Sequence, residues 1–206
     1  MIRETPMIRE TPMIRETPMI RETIVTTCSA AGAVHIAPFG LIAAAAPDRW
    51  VIAPFRPSAT LDNLREVPEL VANYVDDVRI FAGCLTGRRD WPTIAADHVR
   101  PPRLDAALAH AEMCVVSVAE DDQRPRLTCR VIHRGQHAPF QGFNRAQSAV
   151  IEGAILVSRL FMLPREQIER DMAHLAIAVG KTAGPAEQEA WEWLTEAVRA
   201  HYAAAP

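Results

Sequence analysis

Apolar positions along this chain keep a period of about two as far as Phe143 and a period of three to four beyond it, and these two regimes predict strands followed by helices. Arg21 to Cys28, rich in Ile, Val and Thr, predicts a strand, and Ser29 to Gly32 supply the turn into a second, Ala33 to Ile42. His35, Pro38 and Gly40 interrupt that second run, which predicts a broken ladder at a sheet edge, or a place where another group approaches the backbone. A third run, Arg49 to Phe55, follows the turn at Pro47-Asp48. The stiff turn Arg56-Pro57-Ser58 leads into a short helix from about Thr60 to Glu66, then to strands at Leu70 to Tyr74 and Val78 to Leu85, parted by Asp76-Asp77. Thr86 to Pro102, dense in Gly, Pro and charge, reads as an exposed connection, and Leu104, Leu108 and Ala111 then repeat at helical spacing. Met113 to Ala119 and Arg126 to His133 complete the strands, the latter alternating Leu127, Cys129 and Val131 against Thr128, Arg130 and Ile132. Short connections predict antiparallel pairing, and about seven strands with two short helices suit a small barrel.

Beyond Phe143 the pattern is helical. Asn144 to Met162 carries Ala146, Val150, Ala154, Val157 and Phe161 along one face, with Arg145, Glu152 and Arg159 as a polar stripe. Pro164 opens a second helix whose seam is Ile168, Met172, Leu175 and Val179, ended by Gly180 to Gly184, and Pro185 opens a third with Trp191, Leu194 and Val198 facing inward. The expected organisation is α+β: a barrel over residues 19–140 and a three-helix cap over 141–206, packed on the barrel or on a partner subunit. The first 18 residues are three copies of MIRETP, and a fourth begins at Met19. Only the last copy continues into a strand pattern, so residues 1–18 read as a disordered extension and Met19 as a plausible true start.

Composition narrows the partners. A 206-residue chain that is 49% hydrophobic has enough apolar surface for a substantial core, and a net charge of -3 speaks against nucleic acid or an anionic membrane surface. No apolar run approaches the ~20 residues of a membrane-spanning helix, and Arg3 and Glu4 interrupt any secretory leader, so a cytoplasmic protein is expected. Cys28, Cys84, Cys114 and Cys129 are far apart and form no C-x-x-C pair, which predicts reduced, buried, inert thiols.

Several catalytic patterns are incomplete. Gly180-Lys181-Thr182 resembles the end of a phosphate-binding loop, but Leu175 stands where its first glycine belongs. His110-Ala111-Glu112 matches the opening of a zinc deaminase pattern that no P-C-x-x-C completes. His133 and His137 are four apart at the end of a strand and in a loop, where that spacing is not expected to bring two rings to one face, so no metal site and no catalytic side chain is assigned. What remains is the turn at Arg56, where a guanidinium, the hydroxyls of Ser58 and Thr60 and the N–H groups of a helix start suit a bound phosphate. The alternative is that Arg56 pairs with a surface carboxylate while Ser58 or Thr60 caps the helix. Asp62 in the first helical turn favours that alternative, and on the residues alone both readings stand.

The segments HIAPFG (35–40), IAPFRPSATLDNL (52–64), VANYVDD (71–77) and FQGFNRA (140–146) resemble domain-of-unknown-function family four-four-seven, found in methanogens and methylotrophic bacteria, and the resemblance runs from Met19 to about Tyr202. It implies a split antiparallel β-barrel like that of the flavin reductases, binding FMN and assembled as a homodimer with the flavin near the subunit interface. By that resemblance Arg56, Ser58, Thr60 and Asn63 contact the phosphate and ribityl chain, and His35, Ile36, Ala37 and Pro38 lie beside the isoalloxazine. Asn73 bonds its rim, and Asn144 and Arg145 close the pocket or touch the neighbouring subunit. A flavin-dependent oxidoreductase or flavin reductase fed by NAD(P)H follows, with tetrahydromethanopterin-linked one-carbon metabolism as its setting. A flavin-binding module without turnover and an assembly protein built on the helices are the rivals.

Overall fold

The structure is a computed structural model that describes residues 18–204, and the hexapeptide repeats lie outside it apart from Pro18. Six strands close an antiparallel barrel in the order β1 (Ile20–Cys28), β2 (Val34–Ala43), β3 (Arg49–Ile52), β8 (Arg126–Gln136), β7 (Ala109–Ala119) and β4 (Glu69–Tyr74). The short strands β5 (Thr93–Ile94) and β6 (Arg103–Leu104) form a separate ribbon. The helices are α1 (Ala59–Glu66), α2 (Arg79–Leu85), α3 (Arg145–Val157), α4 (Arg165–Thr182) and α5 (Pro185–Ala203). The expected antiparallel barrel with three C-terminal helices is borne out.

Alternation along the strands sorts the core into two layers. Val25, Leu41, Ile52, Leu70, Ala72, Met113, Leu127 and Cys129 pack inside the barrel. Ile24 and Ile36 face outward, where Phe81 and Ile80 of α2 and Val150, Ile168 and Leu194 of the last three helices cover them. Strand β1 is therefore apolar on both faces, and each large side chain so buried contributes about 1.5–3 kcal/mol. The cap packs on the barrel through α2. All four cysteines are free, and Cys28, Cys84 and Cys129 are buried.

Four expectations need correction. Val78 to Leu85 is helix α2, not a strand: a short apolar run does not distinguish a strand from a helix buried on most sides. Asp76-Asp77 starts this helix, the Asp77 carboxylate accepting from the Arg79 N–H at 3.1 Å and pairing with its guanidinium at 2.7 Å. Leu104, Leu108 and Ala111 belong to no helix; Leu104 is in β6 and Ala111 in β7, so their helical spacing is coincidental. The β1–β2 ladder runs unbroken from Ile20↔Ile42 to Cys28↔Val34. Pro38 is tolerated because β2 meets β3 only at Ile42 and Ala43, leaving its outer edge free where proline has no N–H to offer. Finally, α3 ends at Val157, and Phe161, expected on its inner face, is 79% exposed beyond it.

Candidate functional site

Strand β3 stops at Ile52, before Pro54, and the following turn brings Arg56 against the β7–β8 hairpin. The Arg56 N–H donates to the Gln123 carbonyl at 2.9 Å and its Nε to the Asp121 carbonyl at 3.0 Å. Its Nη2 donates to Glu120 Oε2 at 2.5 Å, and Arg65 Nη2, one helix later, lies 3.6 Å from the same oxygen. Two guanidinia thus converge on a single carboxylate whose side chain is 64% exposed. Asp121 holds the turn: its carboxylate accepts from the Gln123 and Arg124 N–H groups, which keep its pKa below the usual carboxylate range.

Ser58 is the N-cap of α1, its carbonyl accepting from Asp62 N–H at 3.0 Å and its hydroxyl, more distantly, from Leu61 N–H at 3.5 Å. The N–H groups of Ala59 and Thr60, the first two helical positions, have no carbonyl one turn back to bond, as at any helix start. Thr60 is buried, and Asp62 is exposed. The structure shows the second of the two sequence readings of this turn: Ser58 caps the helix and Arg56 pairs with a carboxylate.

The other expected site residues divide into groups. Asn63 is buried and donates to Thr27 Oγ1 at 3.0 Å, and Thr27 stands opposite His35 across the β1–β2 ladder, so Asn63 and His35 are joined through one threonine. His35 is half-buried, with its pKa lowered first by burial and then by the Arg89 charge. Ile36 is buried, Ala37 and Pro38 half-buried. Asn73 is fully committed to the fold: its amide donates to the Ile24 carbonyl at 3.0 Å and the Val71 carbonyl at 3.3 Å, and its oxygen accepts from Leu104 N–H at 2.7 Å. Asn144 caps α3, accepting from Ala146 N–H at 2.8 Å while donating to the Thr182 carbonyl at 3.0 Å, which ties the start of α3 to the end of α4; Arg145 beside it is exposed. A cleft of about 510 Å³ lies elsewhere, between α4 and α5, and includes none of these residues.

A second constellation was missed. His110 and Glu112 alternate on β7 with Ala111 and Met113, which face the barrel interior, so both point outward; the segment carrying Asp97 and His98 covers them. His133 stands opposite Glu112. The expectation that His133 and His137 do not share a site fails, because both rings lie against His110, at 5.8 and 5.0 Å between centroids. Residues four apart in an extended chain do share a face, and β8 continues past His133 to Gln136. The signal available in the sequence was His110-x-Glu112, an i, i+2 pair that a strand turns to one side.

Comparisons with known proteins place the fold. An FMN-bound protein of Methanosarcina mazei, assigned to the DUF447 family, is 21% identical with a TM-score of 0.75, over 88% of this chain and 96% of that one. A 2-nitrobenzoate 2-nitroreductase of Pseudomonas fluorescens is 20% identical with a TM-score of 0.50, over 60% and 67% of the two chains. An FMN-binding protein of Thermus thermophilus with bound p-hydroxybenzaldehyde is 14% identical with a TM-score of 0.51, over 69% and 86%. At such identities these likenesses carry the fold. No curated protein sequence matches the chain. Residues 21–138 match the N-terminal domain, and residues 144–196 the C-terminal domain, of the protein of unknown function DUF447, and the chain belongs to that family.

Proposed function

We propose that the chain binds FMN and works as a flavin-dependent oxidoreductase or flavin reductase. The observation that carries this reading is the pair of guanidinia, Arg56 just before α1 and Arg65 in its last turn, that meet one exposed carboxylate, Glu120. A phosphate that displaces Glu120 meets two guanidinia, the Ser58 hydroxyl and the N–H groups of Ala59 and Thr60, a donor set that matches a phosphate monoester. Asn63, which donates to Thr27, and His35, which pairs with Thr27 across β1–β2, are proposed as contacts to the ribityl chain and the ring. Asn144 and Arg145 sit apart, at the α3–α4 junction, and are proposed as contacts toward a partner subunit.

When bound, FMN supplies a two-electron carrier that takes a hydride from a reduced nicotinamide and passes it to an acceptor. The chain's own residues hold the phosphate, orient the ring and exclude water from one side of it; no side-chain nucleophile is required. A homodimer in a reducing, cytoplasmic setting is part of the proposal, supported by Phe143, 99% exposed, with Phe140 packed edge-on against it at 5.1 Å, and by the free thiols. Tetrahydromethanopterin-linked chemistry is retained as the setting on the family resemblance alone.

The test is the visible spectrum of the purified protein, with the flavin released on denaturation identified against FMN, FAD and riboflavin. Released FMN that NADH or NADPH reduces in the intact protein supports the oxidoreductase. Bound FMN that neither reduces makes it a non-catalytic module, and a protein that binds no FMN leaves the exposed phenylalanines and an assembly role as the better reading.

A further inference from the structure

We infer that Asp97, His110, Glu112 and His133 form a binding site for a divalent transition-metal ion of the zinc type, which clips the segment around Asp97 onto the outer wall of the barrel. This site is separate from the proposed phosphate-binding turn. Glu120, which meets Arg56 and follows the end of β7, is ten residues from His110, about 30 Å of extended chain at ~3.3 Å per residue.

Two strands and a bulge build it. His110 and Glu112 share the outward face of β7. On β8, Leu127, Cys129 and Val131 all face the barrel interior, and simple alternation would turn His133 inward with them. The register shift between Glu112↔His133 and Met113↔Val131 leaves Ile132 as an extra residue, and the bulge rotates His133 to the outer face, directly across from Glu112. Asp97 arrives from the covering segment. One donor atom from each of the four residues lies within 4.8 Å of all the others.

Two of the donor pairs stand at the spacing of neighbouring ligands on one ion. His110 Nε2 is 3.2 Å from Glu112 Oε1, and His133 Nε2 is 3.3 Å from Asp97 Oδ2. Charge-assisted hydrogen bonds close to about 2.7–2.9 Å. Two ligand atoms at ~2.05 Å from a tetrahedral zinc stand about 3.3 Å apart. The donor set, two imidazoles and two carboxylates, is one that zinc and its neighbours in the first transition row accept.

The surroundings orient the donors. His137 Nε2 lies 2.8 Å from His110 Nδ1. With His110 Nδ1 protonated and donating to His137, its Nε2 lone pair is free and aimed at the cluster. Glu112, fully buried, accepts from the N–H groups of Asp97 at 2.8 Å and His98 at 2.7 Å. The inner ligands are thus fixed, whereas the outer ones, with side chains 31% exposed at His133 and 66% exposed at Asp97, leave a path for the ion.

The experiment titrates chelator-treated full-length protein with zinc by calorimetry and with cobalt(II) by visible absorption. The expected result is uptake of a single equivalent of zinc, with a rise in Tm and the intense d–d bands of four-coordinate cobalt. His133→Ala and Asp97→Asn, chosen on the solvent side so that the fold survives and checked by circular dichroism, are each expected to weaken binding at least 10-fold; His137→Gln, which only orients His110, by roughly 10–100-fold. No saturable uptake, or uptake that both His133→Ala and Asp97→Asn leave unchanged, overturns the site.

Discussion

Arg56 Nη2 and Glu120 Oε2 meet at 2.5 Å, pinning the turn between β3 and α1 to the β7–β8 hairpin. If a flavin phosphate binds there, Glu120 is its competitor. Arg56→Ala should weaken FMN binding by about 1.5–3 kcal/mol, the range of a charged hydrogen bond. Glu120→Gln should tighten it by up to about 1 kcal/mol, because an exposed pair of this kind is worth no more and its loss removes that competition. Flavin-fluorescence titrations of both variants decide the point. A Glu120→Gln variant that binds more weakly would mean that the glutamate positions Arg56 for the ligand instead of displacing it.

Asn73 separates a fold role from a ligand role. Its side chain bonds Ile24, Val71 and Leu104 and is fully buried. Asn73→Ala strands a buried N–H of Leu104, and is expected to cost about 2–4 kcal/mol in urea unfolding. Flavin affinity of the folded fraction should not change. A clear loss of affinity with little loss of stability would return Asn73 to the flavin rim.

Features that depend on a few neighbouring residues are legible in the sequence, and features that depend on register are not. The start of α3 at Asn144, Pro164 and Pro185 at the starts of the last two helices, and the alternation of Leu127, Cys129 and Val131 all follow from local chemistry. Ser58 as the cap of α1 and Arg56 as a partner of a surface carboxylate were readable for the same reason. The identity of α2 was hidden because Val78 to Leu85 is buried on most sides, which leaves no polar face to reveal a period. The His110, Glu112 and His133 cluster was hidden because it needs the β7–β8 pairing and a bulge at Ile132, neither of which any single residue announces.

Two glycines test packing with opposite signs. A Cβ on Gly135 would stand 2.8 Å from His110 Nδ1 and closer still to Cε1, against a buried ring that Glu112 and His137 hold on both sides. Gly135→Ala is expected to destabilise by about 1–3 kcal/mol, the range for overpacking. Gly180, inside α4, has nothing within 4 Å of such a Cβ. There the gain in helix propensity should dominate, and Gly180→Ala should stabilise by about 0.5–1 kcal/mol. Equal effects from the two substitutions in chemical denaturation would contradict the placement of the His110 ring over β8.

His35 predicts how stability responds to acid. Burial first, and the Arg89 charge second, hold its folded pKa below the ordinary histidine value of 6.5. Between the folded value and 6.5 the unfolded chain binds more protons than the folded one, so stability rises with pH across that window. The contribution is complete above 6.5 and is lost as pH falls through the folded value. His137 is shifted in the same direction, so the wild-type slope alone does not isolate His35. The measurement is therefore a comparison: urea midpoints at pH 8 and pH 5.5 for wild type and His35→Gln. Glutamine keeps the polarity and removes the titration, and the variant is expected to lose less stability on acidification than wild type. Identical losses in the two proteins would place His35 in a setting where protonation costs the folded state nothing.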